Sequence, residues 1–331
     1  MPLSLFDNHG RRINYLRIAV TDRCNLRCFY CMPENGIQYV KRTDLMSFEE
    51  LLRTIHVFAS AGISKLRITG GEPFARKNII DFLKEASKIQ NVEQIHITSN
   101  GTFDNDVIDE LRRIGIKSLN LSLDSLDKER FYQITRKNLF EKVYSNYLEL
   151  LKSKIDVKVN MVVMDGKNIE DIYPMLELAK KDKVSIRFIE EMPFNGTDGR
   201  GNASFWPMKK ILDFIQSEYE IQKIPDPEYS TSYNYRIKGF KGSFGIIAAY
   251  TRTFCGTCNR IRITPQGDLR TCLYGNGVLN IRDLLRSEIE DEDLLKHLKV
   301  VLNQRAKNGF EAEKHIRRVN QSFESMASIG G

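Results

Sequence analysis

The sequence predicts an α/β fold in which six strand–helix units form an incomplete barrel. A smaller α+β region follows and covers the open side. Two observations support this fold. In the first ~190 residues, short β-rich segments alternate with amphipathic helical segments, as in the βαβ units of a parallel sheet. One face of each predicted strand is apolar and the other polar, which suits a barrel with helices outside and a polar interior.

The predicted strands have aliphatic residues at alternate positions and cover residues 15–20, 65–69, 93–98, 117–123, 155–163 and 184–189. The predicted helices have one apolar face; the first begins at Ser47, and the others cover 78–89, 106–114, 139–151 and 169–181. Ser47 and Glu50 form a capping-box pattern. The pattern also allows an open doubly wound sheet or half-exposed antiparallel strands. We favour a TIM-like (β/α)6 barrel, because its cation-lined cavity would hold an anionic ligand.

A break at Pro225-Asp-Pro divides the chain into a predicted barrel domain, residues 1–225, and a smaller region, residues 226–331. A glycine-rich loop, residues 195–202, follows the sixth strand. Beyond the break we expect strands at 233–237, 244–249 and 260–264, and helices at 282–290 and 291–303.

The composition is that of an ordinary soluble globular protein, with 41% hydrophobic and 28% charged residues in 331. It excludes collagen, coiled coil and disorder as the main content. A net charge of +7 suits an anionic ligand or nucleic acid. We find no signal-peptide pattern and no apolar run near the ~18 residues of a membrane span. We therefore expect a cytoplasmic protein, in which cysteines are metal ligands or catalysts more often than disulfides.

The six cysteines fall into two groups of three: Cys24, Cys28 and Cys31, then Cys255, Cys258 and Cys272. The first group follows the first strand, at the end where α/β folds place ligands. Three thiolates on one short loop suit one corner of an iron–sulfur cluster, whereas a zinc site would need a remote fourth ligand. The second group allows either a second three-cysteine cluster or zinc with His297 or His315.

The spacing Cys24-x3-Cys28-x2-Cys31, with Tyr30 before the last cysteine, resembles the signature of the radical S-adenosylmethionine superfamily. Thr69-Gly-Gly-Glu-Pro73 resembles the glycine-rich motif of that superfamily. With the segment Phe-Cys-Gly-Thr-Cys-Asn-Arg-Ile-Arg from residue 254 and the terminal Gly330-Gly331, nearly the whole chain resembles the GTP 3′,8-cyclase family. Ala19 and Glu191 depart from the family pattern without touching a motif ligand.

The resemblance implies two 4Fe-4S clusters, each with three cysteine ligands, and S-adenosylmethionine. It implies GTP binding by Arg17, Arg67, Thr98, Lys158, Arg260, Ile261 and Arg262, and S-adenosylmethionine binding by Tyr30, Gly71, Ser122 and Met192. The candidate catalytic residues are Cys24, Cys28, Cys31, Arg17, Arg260 and Arg262. The Gly-Gly tail is expected to reach into the active site.

The implied reaction begins when an external donor, such as flavodoxin or ferredoxin, reduces the first cluster. S-adenosylmethionine is cleaved, and the 5′-deoxyadenosyl radical takes the ribose 3′ hydrogen of GTP. The ribose radical attacks C8 of guanine, and reduction gives (8S)-3′,8-cyclo-7,8-dihydroguanosine 5′-triphosphate, the first step of molybdopterin biosynthesis. Further expected partners are the next enzyme of that pathway and a second copy of the chain; no membrane and no nucleic acid is expected.

Two other functions remain open at this stage. One is another radical enzyme with an auxiliary cluster, acting on a peptide or a tRNA. The other is a nucleic-acid-binding protein with structural zinc sites. The sequence disfavours the second, because it has no basic segment interleaved with aromatic residues.

Overall fold

The computed structural model describes residues 4–33, 35–192, 205–318 and 325–330. Its strands are β1 Leu5–Phe6, β2 Arg12–Ile13, β3 Tyr15–Ala19, β4 Lys65–Thr69, β5 Gln94–Ser99, β6 Ser118–Ser122, β7 Asp156–Val163, β8 Ser185–Glu190, β9 Ile221–Lys223, β10 Ser232–Ile237, β11 Ser243–Ile247, β12 Arg260–Ile263, β13 Asp268–Arg270 and β14 Leu279–Asn280. Its helices are α1 Phe48–Ser60, α2 Ile79–Ser87, α3 Asp106–Ile114, α4 Lys128–Thr135, α5 Phe140–Lys152, α6 Ile172–Lys181, α7 Met208–Gln216, α8 Ile281–Arg286, α9 Asp291–Leu302, α10 Gly309–Arg318 and α11 Met326–Ile329. The expected glycine-rich loop 195–202 and Gly331 lie outside the described residues.

One sheet carries most of the strands, in the order β14-β13-β12-β3-β4-β5-β6-β7-β8-β11-β10-β9. From β12 to β11 every neighbouring pair is parallel, and the strands beyond them are antiparallel. The half-exposed antiparallel alternative is therefore wrong for the six core strands. The region beyond residue 225 does not form a separate sheet, because β11 pairs with β8 and β12 pairs with β3.

The strand order also decides between a barrel-type and a doubly wound sheet. A doubly wound sheet reverses its order at a switch point, whereas β3 to β8 lie side by side in chain order. Right-handed crossovers then put the connecting helices on one face of the sheet. That face packs against the helices through aliphatic side chains such as Leu16, Ile68 and Phe188, which are fully buried.

The opposite, polar face is concave. Lys65 on β4 and His96 on β5 are both close enough to Arg187 on β8 for its charge to lower their pKa values. Cations from β4 and β8, four strands apart in the sheet, therefore act on the same polar face. The two edge strands, β14 and β9, remain unpaired with each other, so the described sheet does not close. The prediction of an incomplete α/β barrel is confirmed.

Local sequence signals define several helix boundaries. Ser47 accepts a hydrogen bond from Glu50 N at 3.1 Å, and Glu50 accepts one from Ser47 N at 2.7 Å, so the predicted capping box is present. Gly115 ends α3 in the left-handed conformation, which glycine adopts without steric cost. Helix α4 was not predicted, because its segment carries charged and polar residues at five of eight positions.

Glu190 joins the end of the barrel to the segment that leads into the second cysteine group. This fully buried carboxylate accepts hydrogen bonds from Met208 N at 2.7 Å, Tyr250 N at 2.9 Å and Thr251 N at 2.8 Å. These donors come from α7 and from the loop after β11. One side chain therefore fixes two segments that are far apart in sequence.

We expect Glu190→Ala to lower the free energy of unfolding by about 2 kcal/mol, because buried backbone donors lose their acceptor. Urea unfolding of the anaerobically purified protein measures the change. Glu220→Ala is the matched control, since Glu220 is exposed and its effect should stay within about 0.5 kcal/mol. Equal unfolding midpoints for the two variants would contradict the assigned role of Glu190.

Candidate active site

The first cysteine group lies in the loop after β3, at the carboxyl edge of the parallel sheet. The loop is fixed to the end of α4 by Arg27 N, which donates to Thr135 O at 2.9 Å, and by Phe29 N, which donates to Ile134 O at 3.1 Å. Cys31 N donates to Cys28 O at 3.0 Å and forms a tight turn between the second and third thiols. All three thiols are partly buried.

Burial raises the pKa of Cys24 to about 11 and that of Cys31 to about 12, and it also raises the pKa of Cys28. Nearby carboxylates, Glu72 for Cys24 and Asp124 for Cys28, act in the same direction. These thiols are therefore protonated at neutral pH unless a metal centre takes the place of the protons, so metal binding here would release protons.

The two glycines after β4 allow a close backbone approach to the cysteine loop. Gly71 N donates to Thr21 O at 2.7 Å, and Glu72 N donates to Arg23 O at 2.8 Å. A Cβ atom on Gly71 would lie 2.4 Å from Arg23 O, a distance that no side chain tolerates. Residues 70–72 therefore run alongside the segment that enters Cys24, and this contact explains why both positions need glycine.

Glu72 holds the ends of β4 and β5 together beside this loop. Its buried carboxylate accepts hydrogen bonds from Ser99 Oγ at 2.9 Å and from Asn100 N at 2.7 Å. Asn100 in turn donates from Nδ2 to Cys24 Sγ at 3.5 Å. Burial raises the pKa of Glu72 to about 7, against the effect of these hydrogen bonds. Sequence analysis assigned no role to Asn100, which lies two positions beyond the predicted strand 93–98 and directly follows the observed β5.

Three of the four residues expected to bind S-adenosylmethionine end or follow a parallel strand at this same edge: Gly71 after β4, Ser122 at the end of β6, and Met192 after β8. The fourth, Tyr30, donates from Oη to Asp124 Oδ2 at 2.7 Å. Asp124 also accepts a hydrogen bond from Val162 N at 2.8 Å, and burial raises its pKa to about 6. Asp124 is thus a positioning residue for Tyr30 that sequence analysis did not identify.

The expected GTP-binding cations lie on the concave polar face. Arg262 on β12, Arg17 on β3 and Arg67 on β4 occupy the same register position on three neighbouring parallel strands. Arg67 donates to Thr98 Oγ1 at 3.2 Å and to Tyr15 Oη. Burial, followed by the charge of Arg262, lowers the pKa of Arg17 far below its ordinary value. Buried like charges on adjacent strands repel one another, and a bound polyanion would stabilise them.

The remaining expected GTP contacts differ in placement. Lys158 on β7 faces the cavity, and burial together with Arg187 lowers its pKa. Arg260, two positions from Arg262, lies on the same face of β12. The side chain of Ile261 is fully buried in the hydrophobic core on the opposite face of that strand.

The structure adds three cavity residues that were not in the expected set: Lys65, His96 and Arg187. Arg187 Nε is buried and has no hydrogen-bond partner among the described residues. Burial and the neighbouring Arg67 lower the pKa of His96 to about 2, so its ring is neutral. Strand parity places all three on the polar face, because each shares the alternation of the polar side chains on its strand.

The second cysteine group is built on the strands that extend the barrel. Cys255 and Cys258 flank a short turn before β12, and Cys272 follows β13. Burial raises the pKa of Cys255 and Cys272. For Cys258 burial acts in the same direction, but Arg260 and Arg305 outweigh it and lower the pKa to about 6.

Arg305 organises this second group. Its guanidinium donates to Cys258 Sγ at 3.2 Å, to Cys258 O at 2.9 Å and to Thr271 O at 3.0 Å, so it connects both parts of the group. A buried carboxylate, Asp7, pairs with Arg305 at 3.2 Å. Sequence analysis missed Arg305 because nothing in its local pattern distinguishes it from a surface arginine.

The chain terminus lies between the two cysteine groups. Ser325 donates from Oγ to Cys31 O at 2.6 Å, and Ala327 N hydrogen-bonds the Cys31 thiol. Gly330 O accepts a hydrogen bond from Arg262 Nη1 at 2.9 Å. A Cβ atom on Gly330 would lie 2.8 Å from Ala19 Cβ, so glycine is required there. The expected insertion of the tail into the site is observed as far as Gly330.

The thiols and the N–H donors around them fit a cluster better than a single metal ion. In the part of the chain that the structure describes, no three Cys, His, Asp or Glu side chains are grouped closely enough to hold a single metal ion. Each loop offers three thiols and N–H donors aimed at sulfur: Asn100 and Ala327 in the first, Arg305 in the second. Hydrogen bonds to sulfur are a common feature of iron–sulfur sites, so the residues fit such clusters.

Comparison with known proteins places this arrangement in a family. A model described as Radical SAM superfamily matches residues 18–179, and one described as Molybdenum Cofactor Synthesis C matches residues 184–311. The GTP 3′,8-cyclases of Clostridium perfringens (strain SM101 / Type A) and Moorella thermoacetica are each 37% identical, over 98% of this chain and 99% of their own length. Molybdenum cofactor biosynthesis protein 1 of Dictyostelium discoideum is 39% identical over 88% of this chain, which spans 47% of that relative.

Solved structures show the same fold. The crystal structure of Streptococcus suis SuiB has a TM-score of 0.61 and 14% identity, and the match covers 97% of this chain and 78% of that one. Native anSMEcpe with bound AdoMet has a TM-score of 0.50 and 20% identity, and the match covers 62% of this chain and 61% of the other. At these identities the likeness concerns the fold alone.

The sheet, the cysteine loop and the first matching model define a radical S-adenosylmethionine protein. Within that superfamily, the identity shared over nearly its full length shows that the chain belongs to the GTP 3′,8-cyclase family. The resemblance drawn from the sequence is thereby confirmed. None of the helices in the described ranges is long and apolar enough to cross a membrane.

We expect Ser325→Ala to loosen the tail, because it removes both the helix cap of α11 and the hydrogen bond to Cys31 O. Backbone amides 326–330 should exchange with deuterium about tenfold faster, as expected for a loss of roughly 1.4 kcal/mol. Ser328→Ala is the control, since the Ser328 contact with Ser325 uses the backbone. Unchanged exchange in Ser325→Ala would show that the cap does not hold the tail.

Proposed function

We propose that this chain is a GTP 3′,8-cyclase that converts GTP to (8S)-3′,8-cyclo-7,8-dihydroguanosine 5′-triphosphate with S-adenosylmethionine. The reaction would be the first step of molybdenum cofactor biosynthesis. One observation carries the proposal: Arg262, Arg17 and Arg67 are aligned on neighbouring strands, and two of these strands, β3 and β12, border the two three-thiol loops. The 37% identity to two GTP 3′,8-cyclases supports the same substrate and disfavours a peptide or a tRNA.

In this proposal Cys24, Cys28 and Cys31 hold one 4Fe-4S cluster, and Cys255, Cys258 and Cys272 hold the other. When bound, the first cluster supplies the electron that cleaves S-adenosylmethionine, and the second supplies an open iron for the purine. The chain's own residues prepare these sites. Asn100 and Ala327 direct N–H groups at the first thiols, and Arg305 does so at the second.

The cations of the cavity bind the triphosphate. Arg17, Arg67 and Arg262 present guanidinium groups side by side, which can form paired hydrogen bonds to phosphate oxygens. Lys158 contributes a point charge from β7, and Thr98, which accepts a hydrogen bond from Arg67, is positioned on β5. Arg260 lies beside the second cysteine group, where the guanine end of the nucleotide would reach. Ile261 also belongs to the proposed GTP-binding set, although its side chain is buried in the core.

S-adenosylmethionine would bind at the carboxyl edge of the sheet. Gly71 lets the glycine-rich segment pack against the cysteine loop, where the methionine part of the cofactor would bind, and Tyr30, held by Asp124, would contact the adenine. Ser122 and Met192 complete the expected set. The barrel wall and the tail exclude water from the space between the two loops, which protects a reactive radical from side reactions.

We further propose that residues 1–225 form the catalytic core and that the protein acts in the cytoplasm. An external one-electron donor such as flavodoxin or ferredoxin would supply the electron. The next enzyme of the pathway would consume the product, and the chain would form a homodimer. Neither a membrane nor a nucleic acid has a part in this proposal.

The function is tested by anaerobic incubation of the reconstituted protein with GTP, S-adenosylmethionine and dithionite, followed by mass analysis of the nucleotide. We expect the parent to form the cyclised triphosphate and 5′-deoxyadenosine. Cys24→Ala should form neither, whereas Cys272→Ala should form 5′-deoxyadenosine without the cyclised product. Full cyclisation by either variant would contradict the division of labour between the two cysteine groups, and no product from the parent would reject the function.

We expect Arg17→Ala and Lys158→Ala each to weaken GTP binding at least about tenfold, because each removes a cavity cation that pairs with phosphate. Titration calorimetry of the reconstituted protein, with iron content measured in parallel, gives the affinity. Lys183→Ala is the matched control: Lys183 is exposed and precedes β8, at the opposite edge of the sheet. If Arg17→Ala and Lys158→Ala bound GTP as tightly as the parent, the cation-lined face would not be the nucleotide-binding site.

A further inference from the structure

A group of cations lies around the first cysteine loop, and none of its side chains is among those expected to bind GTP or S-adenosylmethionine; one of them, Arg27, donates to Cys24 O at 2.7 Å. The group comprises Arg23, Arg27, Arg136, Lys137 and Lys167, which we call the basic collar. Arg23, Lys137 and Lys167 are exposed, while Arg27 and Arg136 are half-buried. No ion pair among the described residues involves any of the five, although nearby Arg130 and Lys142 are paired with Asp171 and Asp104.

Contacts on the loop keep the collar together on one side. Arg23 and Arg27 both lie over the ring of Tyr39, with guanidinium carbons 5.6 and 5.7 Å from the ring centroid. Lys167 Nζ lies 5.8 Å from the centroid of the Phe29 ring. These cation–π contacts hold charges beside the loop without neutralising them.

The other two cations reach the loop through the backbone. Because Arg27 N and Phe29 N donate to the last residues of α4, the next residues in the chain, Arg136 and Lys137, are placed beside the loop. Arg136 ends α4 in the left-handed conformation, which turns the chain sharply there. Three segments that are distant in sequence therefore contribute to one positively charged surface.

The surroundings contain little opposing charge. Between residues 23 and 42 the sequence has Arg23, Arg27, Lys41 and Arg42 but a single carboxyl residue, Glu34. Asp165, two positions before Lys167, is exposed and accepts a hydrogen bond from Trp206 Nε1 at 2.7 Å. The surface therefore carries more cations than carboxylates, and it includes the partly exposed aromatic rings Phe29 and Tyr39.

We infer that the basic collar is the docking surface for an acidic one-electron carrier protein. The inference rests on the proposed function, which requires an electron to reach the centre held by Cys24, Cys28 and Cys31. In that step the carrier loses one electron and the cluster gains it, and no bond to the carrier forms. Unpaired cations would steer an acidic partner to the loop that holds the electron acceptor. Aromatic and arginine side chains are also the groups that anchor protein interfaces.

A single-stranded RNA is the alternative occupant, because cations beside aromatic rings also suit nucleic acid. The observations favour a protein, because both rings already hold cations, Phe29 that of Lys167 and Tyr39 those of Arg23 and Arg27, and these contacts compete with base stacking. The collar also surrounds the cysteine loop itself, which is where an electron must enter.

The test uses the full-length, reconstituted protein and an acidic flavodoxin in its oxidised form, so that binding is measured without turnover. Lys137→Glu combined with Lys167→Glu reverses two collar charges. The matched control combines Lys117→Glu with Lys183→Glu, which makes the same change in net charge at exposed positions before β6 and β8, at the opposite edge of the sheet. Surface plasmon resonance at about 50 and about 150 mM salt gives the dissociation constants.

We expect the collar variant to bind flavodoxin about tenfold or more weakly at low salt, and the control variant within about twofold of the parent. The difference should shrink at the higher salt concentration. With chemically reduced flavodoxin as donor, the collar variant should form 5′-deoxyadenosine correspondingly more slowly. With dithionite, which needs no docking surface, the parent, control and collar proteins should have the same rate.

Equal dissociation constants for the collar and control variants would overturn the inference. So would collar-dependent binding of a single-stranded RNA by a parent that does not bind flavodoxin. Failure of the proposed function gives a different result, since the parent would then form no cyclised triphosphate with dithionite. In that case the flavodoxin dissociation constants still decide whether the collar docks an acidic carrier.

Discussion

The central constraint on this structure is the alignment of like charges inside a curved sheet. Arg262, Arg17 and Arg67 occupy one register position on adjacent parallel strands, where like charges repel one another directly. Burial increases the cost, because the charged form of each group loses solvation. A protein keeps such an arrangement when an anion offsets it. Burial, followed by the charge of a neighbouring arginine, lowers the pKa values of Arg17, Arg187 and Arg262.

The remainder of the site is organised around the carboxyl edge of the same sheet. Buried side chains with several hydrogen bonds hold its loops: Glu72 joins the ends of β4 and β5, Glu190 joins α7 to the loop after β11, and Arg305 joins the two parts of the second cysteine group. Each of them satisfies backbone groups that would otherwise be buried without partners. The tail completes the enclosure, since it contacts Cys31 at one end and Arg262 at the other.

Much of the fold and of the candidate site could be predicted from short segments of the sequence. The alternation of Arg17, Arg67 and Lys158 with aliphatic residues identified the polar face before any strand pairing was known. The capping box at Ser47 and the two groups of cysteines could also be identified from the sequence. Other features could not be found in this way. Arg305 contacts Cys258 from 47 residues away, and Asp124 contacts Tyr30 from 94 residues away. No single segment of the sequence is both basic and rich in aromatic residues. The basic collar forms such a surface only in the folded protein, because its members come from three separate segments.

The sequence by itself determined the strand and helix periodicity, the cysteine spacing and the glycines at which backbone approaches backbone, because each of these depends on residues a few positions apart. Tertiary structure alone decided that β12 pairs with β3 and β11 with β8, so that the second region extends the barrel and brings Arg262 beside Arg17. The pairing of β12 with β3 joins segments about 245 residues apart. It depends on the summed packing of the whole sheet and its helices, which no local pattern contains.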